Sequence, residues 1–301
     1  MTTIHWLALT LTPGIGGATA RKLLDRYGDI ESIFEAPPDE LTEIPRITPE
    51  IADKLLSTSF EQLETELLSL DEEGIDVLTW DDDRFPGRLR ALNDAPLILF
   101  VRGAILPADE RAIAIAGTRQ PSLESIEHAE LLGRELAARG LTVVSGLAEG
   151  IDTAAHMGAL ACDVGRTLAI LGSGVRVIHP RSNTELAEQI MARGAVLSEY
   201  HPNAPPRGPQ LMARDRIVSA LSQGVLVVEA GLNSGSLDTA ARAKKQGRAV
   251  YALPGSAGTD ALLAEGALRI NLESFDFEAF VADLARYPLE HPPQFRQGRL
   301  F

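Results

Sequence analysis

Short apolar runs separated by amphipathic segments dominate the chain from residue 111 onward. AIAIAG (112–117), TVVSG (142–146), TLAILG (167–172), AVLSE (195–199) and GVLVVEA (224–230) are bounded by turn residues, which is typical of buried strands. The segments between them repeat apolar residues every three or four positions, as amphipathic helices do. Strands that alternate with helices predict an α/β fold built on a Rossmann-like, doubly wound, mostly parallel sheet.

The first hundred residues have a different pattern, dominated by short helical segments. LTLTPGIGGATARKLLDRYG (9–28) has the pattern of a helix-hairpin-helix, and LTEIPRITPEIADKLL (41–56) is a weaker echo in which prolines replace the glycines. Proline has no N–H to offer a ligand, so the echo is structural. For the first copy two interpretations stay open: its glycine amides contact a nucleic-acid phosphate, or it is a packing or partner-docking module.

These patterns divide the chain into four segments. We predict an all-α, SAM-like helix-hairpin-helix domain over 1–73, a connecting segment over 74–103, and a Rossmann-like core over 104–271. Residues 272–301 are expected to form a short C-terminal tail, because about 30 residues are too few for a winged-helix domain, and its last part, YPLEHPPQFRQGRLF (287–301), is expected to be flexible or strand-like.

Charge is distributed unevenly along the chain, which has a net charge of −14. Residues 1–103 contain 20 Asp and Glu against 9 Lys and Arg, whereas residues 104–256 contain 15 of each sign. In that central part 13 of the 15 basic residues are arginines, which favour bidentate contact with phosphates. A basic pocket on an acidic protein is therefore compatible with the composition.

Composition and motifs also exclude several classes of protein. The single cysteine, Cys162, excludes an intrachain disulfide and a cysteine metal site, and its apolar surroundings predict a buried, inert thiol. No apolar run approaches the roughly 20 residues of a membrane helix, and the N-terminus lacks a basic signal region, so we expect a cytoplasmic protein. Neither GxGxxG nor a Walker motif follows a strand, so no NAD, ATP or other cofactor and no metal are expected.

Small residues rich in hydrogen-bond donors follow most of the predicted strands. Because ligands bind beyond the carboxyl ends of parallel strands, these residues together predict a phosphate-holding site. No nucleophile is evident among them, which favours binding over bond breaking. The residues at the strand ends are Gly117, Thr118, Arg119, Ser145, Gly146, Gly150, Gly172, Ser173, Gly174, Ser234, Gly235 and Ser236.

Eight motifs in order resemble the DprA/Smf family of bacterial DNA-processing proteins, from about residue 5 to 271. They are the PGIG hairpin, GTR, SGLAEGIDTAAH, a GSG turn followed by a proline, LSEY, an arginine pair before IVSALS, SGSLDTA and PG. The resemblance implies a protein without catalytic activity that binds single-stranded DNA and forms homodimers through its core. It also implies that the protein helps to load RecA recombinase in DNA uptake and natural transformation.

The resemblance assigns a DNA pocket to these strand ends and to the arginine pair, where backbone amides and hydroxyls would hold phosphates and arginines would add charge. The residues that complete the candidate set are His179, Arg214, Arg216 and Thr239. His156 is interpreted as a structural helix histidine, and Asp152 as a residue that caps or orients the following helix.

The chain departs from the family pattern at several positions near the expected pocket. His179 stands where Tyr is frequent, and Asp215, Asp238 and Asp260 are additional acids that would oppose phosphate binding. Two alternatives therefore stay open. One is a nucleotide-binding or partner-docking protein with weak DNA affinity. The other is an enzyme similar to nucleotide phosphoribohydrolases, although SGSLDTA lacks the glutamate of their PGGxGTxxE motif.

Overall fold

Six short helices fold the first 72 residues around a small apolar core that includes Leu9 and Leu23, both fully buried. The structure, a computed structural model, describes residues 2–284, so the end of the expected tail lies outside the described residues. The helix-hairpin-helix prediction is confirmed by α1 and α2 and the turn between them. The helices are α1 (Thr2–Leu11), α2 (Gly17–Tyr27), α3 (Ile30–Glu35), α4 (Pro38–Thr42), α5 (Pro49–Leu56) and α6 (Phe60–Glu72).

The strands are β1 (Ile75–Thr79), β2 (Ile98–Gly103), β3 (Ala112–Ala116), β4 (Thr142–Ser145), β5 (Thr167–Ile170), β6 (Ala195–Ser198), β7 (Gly224–Val227), β8 (Ala249–Ala252) and β9 (Leu268–Arg269). In the described part of the chain they form one sheet in the order β1-β2-β6-β5-β4-β3-β7-β8-β9. Only the pairs β1–β2 and β2–β6 are antiparallel. The predicted mostly parallel α/β fold is therefore confirmed.

Helices cover both faces of this sheet. Alternate residues of β3 point to opposite sides. Ile113 and Ile115 pack in a cluster with α8 (Leu123–Ala138) and α9 (Ile151–Leu160). Ala112 and Ala114 pack in a cluster with α12 (Asp215–Leu221) and α13 (Gly235–Lys245). No described helix has the length and apolar character needed to cross a membrane. The helices are α7 (Gly87–Arg90), α8 (Leu123–Ala138), α9 (Ile151–Leu160), α10 (Thr184–Arg193), α11 (Gly208–Ala213), α12 (Asp215–Leu221), α13 (Gly235–Lys245), α14 (Ala257–Ala264) and α15 (Phe277–Leu284), with 3₁₀ helices at Pro107–Glu110, Arg181–Asn183 and Leu272–Ser274.

The connecting segment contributes two strands to the sheet. The apolar run LILFVRG (97–103) is typical of a strand, and it contains the second of them, β2, which pairs with β6. Strand β1 forms a hairpin with β2, in which Ile75 lies opposite Arg102. The exposed Asp76 interrupts the apolar residues of β1, so this strand lacks the continuous apolar run that marks the four-residue strands β4 to β7. The segment is thus continuous with the sheet of the core.

The turn of the first helix-hairpin-helix packs against the protein on one side, whereas Pro13, Gly14 and Gly16 are exposed. Ile15 in that turn is buried, and a Cβ on Gly17 would overlap the backbone of Ala95. Arg21 donates a hydrogen bond to Leu92 O at 2.7 Å, which ties α2 to the connecting segment. Ile15 and Gly17 thus serve packing, whereas the exposed Gly14 and Gly16 leave both interpretations of the hairpin open.

Cys162 is half-buried, which corrects the prediction of a buried thiol. The helix α9 ends at Leu160, and the chain then turns across the surface before β5, so the apolar stretch that carries the cysteine leaves the core.

The order of the strands reverses between β3 and β7. From β3 the sheet continues through β4, β5 and β6 on one side, and the chain later adds β7, β8 and β9 on the other. In open α/β sheets a crevice forms at such a reversal, beyond the carboxyl ends of the strands. The fold therefore places a candidate site where β3, β4 and β7 end.

Candidate functional site

A cavity of about 660 Å³ opens at the carboxyl ends of β3, β4 and β7. Its walls come from the loops that follow these three strands, and from residues of α11, α12 and α13. The three strand ends lie together because β3 pairs with both β4 and β7. The cavity thus occupies the crevice at the reversal of strand order.

The loop after β3 forms an exposed polar wall. Thr118 N donates to Glu229 O at 2.8 Å, and Thr118 O accepts from Ile151 N at 3.2 Å, so the loop is fixed to its neighbours. Arg119 follows with an exposed side chain, which has no partner among residues 2–284. Its guanidinium is therefore available to an anion in the cavity.

The first turn of α13 lines the same cavity. Ser234 is the N-cap residue, but its hydroxyl pairs with the Ser236 hydroxyl at 2.8 Å and makes no capping hydrogen bond. The first N–H groups of a helix have no acceptor within the helix, and they carry the positive end of its dipole. This turn therefore offers unpaired donors to an anionic group.

The guanidinium of Arg214 forms the floor, although the residue is only 4% exposed. Its Nη1 donates to the carbonyl oxygens of Gly146 and Ile170, at the ends of β4 and β5, and its Nε donates to Asp215 at 2.8 Å. A Cβ at position 146 would overlap this guanidinium, so glycine is the residue that fits at this position. Nη2 has no partner within the described chain, so it is left for a ligand.

Two buried carboxylates lie close to Arg214. Asp152 Oδ2 accepts from Gly146 N at 3.1 Å and from Ala148 N at 3.3 Å, so it orients the loop that leads into α9. Burial raises the pKa of Asp152, and burial also raises the pKa of Asp215 to about 6. When both are ionised they offset the charge of Arg214, which weakens the attraction of the floor for anions.

One side of the cavity is apolar. Leu211 and Met212 come from α11, Leu232 comes from the loop after β7, and Val218 comes from α12. Met212 is 41% exposed and Leu232 is 65% exposed. No aromatic side chain of the described residues lines the cavity. The site is therefore amphipathic, with unpaired donors on one wall and aliphatic groups on another.

The cavity brings together most of the candidate residues that the sequence and the family resemblance indicate. Those that line it are Gly117, Thr118, Arg119, Ser145, Gly146, Arg214, Ser234, Gly235, Ser236 and Thr239. Those that lie outside it are Gly150, Gly172, Ser173, Gly174, His179 and Arg216.

The Gly-Ser-Gly turn after β5 lies outside because α11 covers it. A Cβ on Gly172 would come within 2.6 Å of Leu211 Cα, and Gly174 packs against the backbone of Pro202. The Ser173 hydroxyl donates to Val177 O at 2.6 Å. These three residues therefore support α11 and the segment that leads into it, whereas the sequence alone predicted that they hold phosphate.

Three further candidates are also directed elsewhere. Arg216 forms a buried double ion pair with Glu199, in which the shorter contact is 2.5 Å. Gly150 has a φ of +82° at the start of α9 and packs against the loop after β3. His179 is exposed ahead of the 3₁₀ helix Arg181–Asn183, past the end of β5. Arg216 and Gly150 thus stabilise the fold around the cavity.

Of the three acids expected to oppose a phosphate, only Asp215 reaches the cavity. Asp238 pairs with Arg242 one turn along α13, at 2.5 Å. Asp260 accepts from Gly255 N at 3.1 Å. Asp152, which the sequence indicated only as a capping residue, is the second acid that lines the cavity.

Residues on the apolar side of the cavity and two polar residues of its loops are not predicted from the sequence. These are Gln120, Leu211, Met212, Val218, Leu232 and Asn233. Gln120 directly follows the GTR motif, so extending that motif by one residue would have found it. Leu211 and Met212 precede the arginine pair in a stretch without strand or helix periodicity, and no local signal marks them as site residues.

Family models match two parts of this chain. A model described as DNA recombination-mediator protein A matches residues 76–277, and one described as a SAM-like helix-hairpin-helix tandem matches residues 7–73. Protein Smf of Escherichia coli K12 is 39% identical over 226 residues, which make up 73% of this chain and 60% of that protein. The chain spans 60% to 67% of the length of the first curated relatives that it matches.

Two solved structures share this fold at more than 30% sequence identity. The crystal structure of DNA processing protein A from Streptococcus pneumoniae has a TM-score of 0.79 and 31% identity, covering 92% of this chain and 99% of that one. The structure of DNA processing protein A from Helicobacter pylori, described as showing a single-stranded DNA binding mode, has a TM-score of 0.62 and 32% identity. It covers 70% of this chain and 96% of that one.

Replacing Arg214 is expected to destabilise the fold, whereas replacing Arg119 is not. Arg214→Ala leaves two buried carbonyls and two buried carboxylates without their cation, which costs about 3–5 kcal/mol. Arg119→Ala removes an exposed, unpaired side chain and should change the free energy of unfolding by less than about 0.5 kcal/mol. Urea denaturation followed by circular dichroism measures both. Equal stability of the two variants would contradict the anchoring role of Arg214.

Proposed function

The chain belongs to the DNA recombination-mediator protein A family, and from this premise we propose that it binds single-stranded DNA in the cavity at the ends of β3, β4 and β7. The observation that carries the proposal is the set of unpaired donors around one cavity: the Arg119 guanidinium, the first N–H groups of α13 and Arg214 Nη2. Donors of these kinds hold phosphates. The binding mode described for the Helicobacter pylori relative supports the same ligand.

A single strand suits this cavity better than a duplex. The donors line a crevice at the strand ends, and a flexible ligand can follow its shape. Single strands are flexible, whereas a duplex has a persistence length of about 50 nm. The donors would bind the sugar-phosphate backbone, so we expect the affinity to depend little on base sequence.

Binding, rather than catalysis, is the proposed role. His156, a histidine of α9, is buried and pairs through Nδ1 with the Thr167 hydroxyl at 2.6 Å. Burial lowers the pKa of His156 to about 3, so the ring is neutral at physiological pH. His156 is not among the residues that line the cavity.

A free nucleotide is the second candidate ligand. The observation that favours it is the pair of carboxylates, Asp152 and Asp215, which lowers the positive charge that a long polyanion would encounter. Displacement of bound DNA by a nucleoside monophosphate at micromolar concentration would support this candidate.

We further propose that the protein acts in the cytoplasm as a homodimer that delivers single-stranded DNA to RecA recombinase. Its family membership supports the delivery role. The dimer is supported by the edge strand β9, whose outer side pairs with no strand of the described residues, and on which Leu268 is 45% exposed. Open strand edges with exposed apolar groups are surfaces that favour association.

The first test is fluorescence anisotropy with labelled oligo-dT. The parent protein should bind the single strand more tightly than a duplex of equal length, and the binding should weaken steeply with salt as counterions are released. Arg119→Ala should weaken binding about tenfold and reduce the salt slope by about 1, because one phosphate contact is lost.

Arg134→Ala is the matched control, since Arg134 is an exposed arginine on α8 that does not line the cavity. It should bind like the parent. An Arg119→Ala variant that binds as tightly as Arg134→Ala, with the same salt slope, would show that the DNA site lies elsewhere.

Lowering the pH from about 7.5 to about 5 should strengthen DNA binding. Asp215, whose pKa is about 6, faces Arg214, Asp152 and Asp238, and its protonation removes one negative charge from the cavity. Anions therefore bind better below pH 6, and bound DNA in turn raises the pKa of Asp215. Asp215→Asn retains a side-chain oxygen that can accept a hydrogen bond from Arg214 Nε. At pH 7.5 this variant should bind DNA about three- to tenfold more tightly than the parent, and its DNA affinity should change less with pH.

Anisotropy titrations of the parent and of Asp215→Asn at the two pH values give this comparison. Protonation of histidines elsewhere affects both proteins alike, so the difference between their profiles isolates Asp215. Parallel profiles for the parent and the variant would exclude Asp215 as the titrating group.

The dimer is tested by light scattering coupled to size-exclusion chromatography. The parent should elute with twice the monomer mass, and Leu268→Asp should shift it to the monomer, because a charge on the edge of β9 opposes association. Met157→Asp, which changes a half-exposed residue of α9, should leave the dimer intact. A monomeric parent would refute the proposed dimer.

A further inference from the structure

The apolar wall, defined as Leu211, Met212 and Leu232, has no part in holding phosphates. Single exposed apolar side chains are common on proteins and need no explanation. Here, however, Met212 and Leu232 come from different elements and line one polar cavity with 41% and 65% of their surface exposed. Apolar groups gathered at a cavity indicate a ligand with an apolar surface of its own.

The apolar wall begins beside the helix end that is proposed to hold a phosphate. Met212 Sδ lies 3.6 Å from the position that a Cβ on Gly235, the first residue of α13, would occupy. A phosphate at this N-terminus would therefore have the thioether of Met212 as a near neighbour. In a nucleotide the phosphate and the base are joined through one sugar, so a base attached to that phosphate reaches the apolar wall.

The Gly-Ser-Gly turn holds α11 in place. Gly172 allows the backbone of Leu211 to approach closely, and Gly174 N donates to Ala204 O at 2.9 Å in the segment that leads into α11. Further back, His201 Nε2 lies 2.6 Å from Glu66 Oε1 on α6, which anchors the start of that segment. The position of Leu211 and Met212 is thus determined by contacts outside the cavity.

Leu232 is held in a similar way, in a tight turn. Ser234 N donates to Gly231 O at 3.0 Å and closes the turn, and Gly258 N donates to Ala230 O at 2.7 Å and fixes its base on α14. A large apolar side chain that is 65% exposed on so well-anchored a turn is preorganised for contact with a ligand.

We propose that the apolar wall packs against a nucleobase of the bound strand, so that the cavity selects a base-bearing single strand over a bare sugar-phosphate chain. The faces of nucleobases are apolar and pack on side chains without reading sequence. This inference rests on the proposed function, because it concerns the strand held by Arg119 and α13. It also assigns a role to the Gly-Ser-Gly turn, which positions the apolar wall without touching the DNA.

The test compares oligo-dT with an abasic strand of the same length, by fluorescence anisotropy at fixed salt. The parent should bind oligo-dT roughly tenfold more tightly, as expected for burial of aliphatic side chains against a base. The double variant Met212→Ser/Leu232→Ser should lose this preference and still bind the abasic strand like the parent. Gly172→Ala should reduce the preference although Gly172 lies outside the cavity.

The matched control is Met157→Ser/Leu68→Ser, which changes a methionine and a leucine of comparable exposure, 50% and 62%, on α9 and α6. It should retain the full preference for oligo-dT. Equal affinity of the parent for the two strands would overturn the inference, and so would a double variant that weakens both strands by the same factor. A parent that binds neither strand would refute the proposed function itself, which distinguishes the two failures.

Discussion

The ends of β4 and β5 are joined by one buried guanidinium. Arg214 donates to Gly146 O and Ile170 O, and it pairs with Asp215 at the start of α12. A buried cation is tolerated only while its partners are in place, because an unpaired charge in a protein interior is costly. The floor of the cavity, the approach of α12 to the sheet and the glycine at position 146 all follow from this requirement. Substitution of any one of these groups would therefore affect the others.

The same requirement determines the electrostatics of the site. Arg214 is largely neutralised by the two carboxylates beside it, so a ligand meets a weak positive potential at the floor and stronger attraction at Arg119 and at the N-terminus of α13. The side of the cavity next to that N-terminus is aliphatic. A ligand that satisfies both sides has anionic and apolar parts close together, as a nucleotide unit does. The acidic composition of the whole chain is irrelevant at this scale, since the local arrangement of charges controls binding.

Several motifs that look like ligand contacts in the sequence support the fold of the site. Gly172 and Gly174 allow α11 and the preceding segment to approach β5 closely, and Gly17 in the hairpin allows α2 to approach Ala95. Glycine serves both purposes for the same reason, namely the absence of a Cβ. A glycine in the sequence therefore does not show whether its backbone approaches a phosphate or another segment of backbone. Only the first of these contributes directly to binding.

The sequence by itself determined the alternation of strands and helices, the parallel sheet, the helix-hairpin-helix domain and the strand ends at which Arg119, Ser145 and Ser236 gather. These features depend on hydrophobic periodicity and turn chemistry, which are local. Only the tertiary structure decided that Arg214 is buried against two strand-end carbonyls and Arg216 in an ion pair, that α11 covers the turn after β5, and that Met212 and Leu232 line the cavity. Each of these depends on contact between segments distant in the chain: Arg216 pairs with a glutamate 17 residues away, and Arg214 bonds to a carbonyl 68 residues away. A side chain's partner is set by the packing of the whole sheet, and no local pattern encodes it.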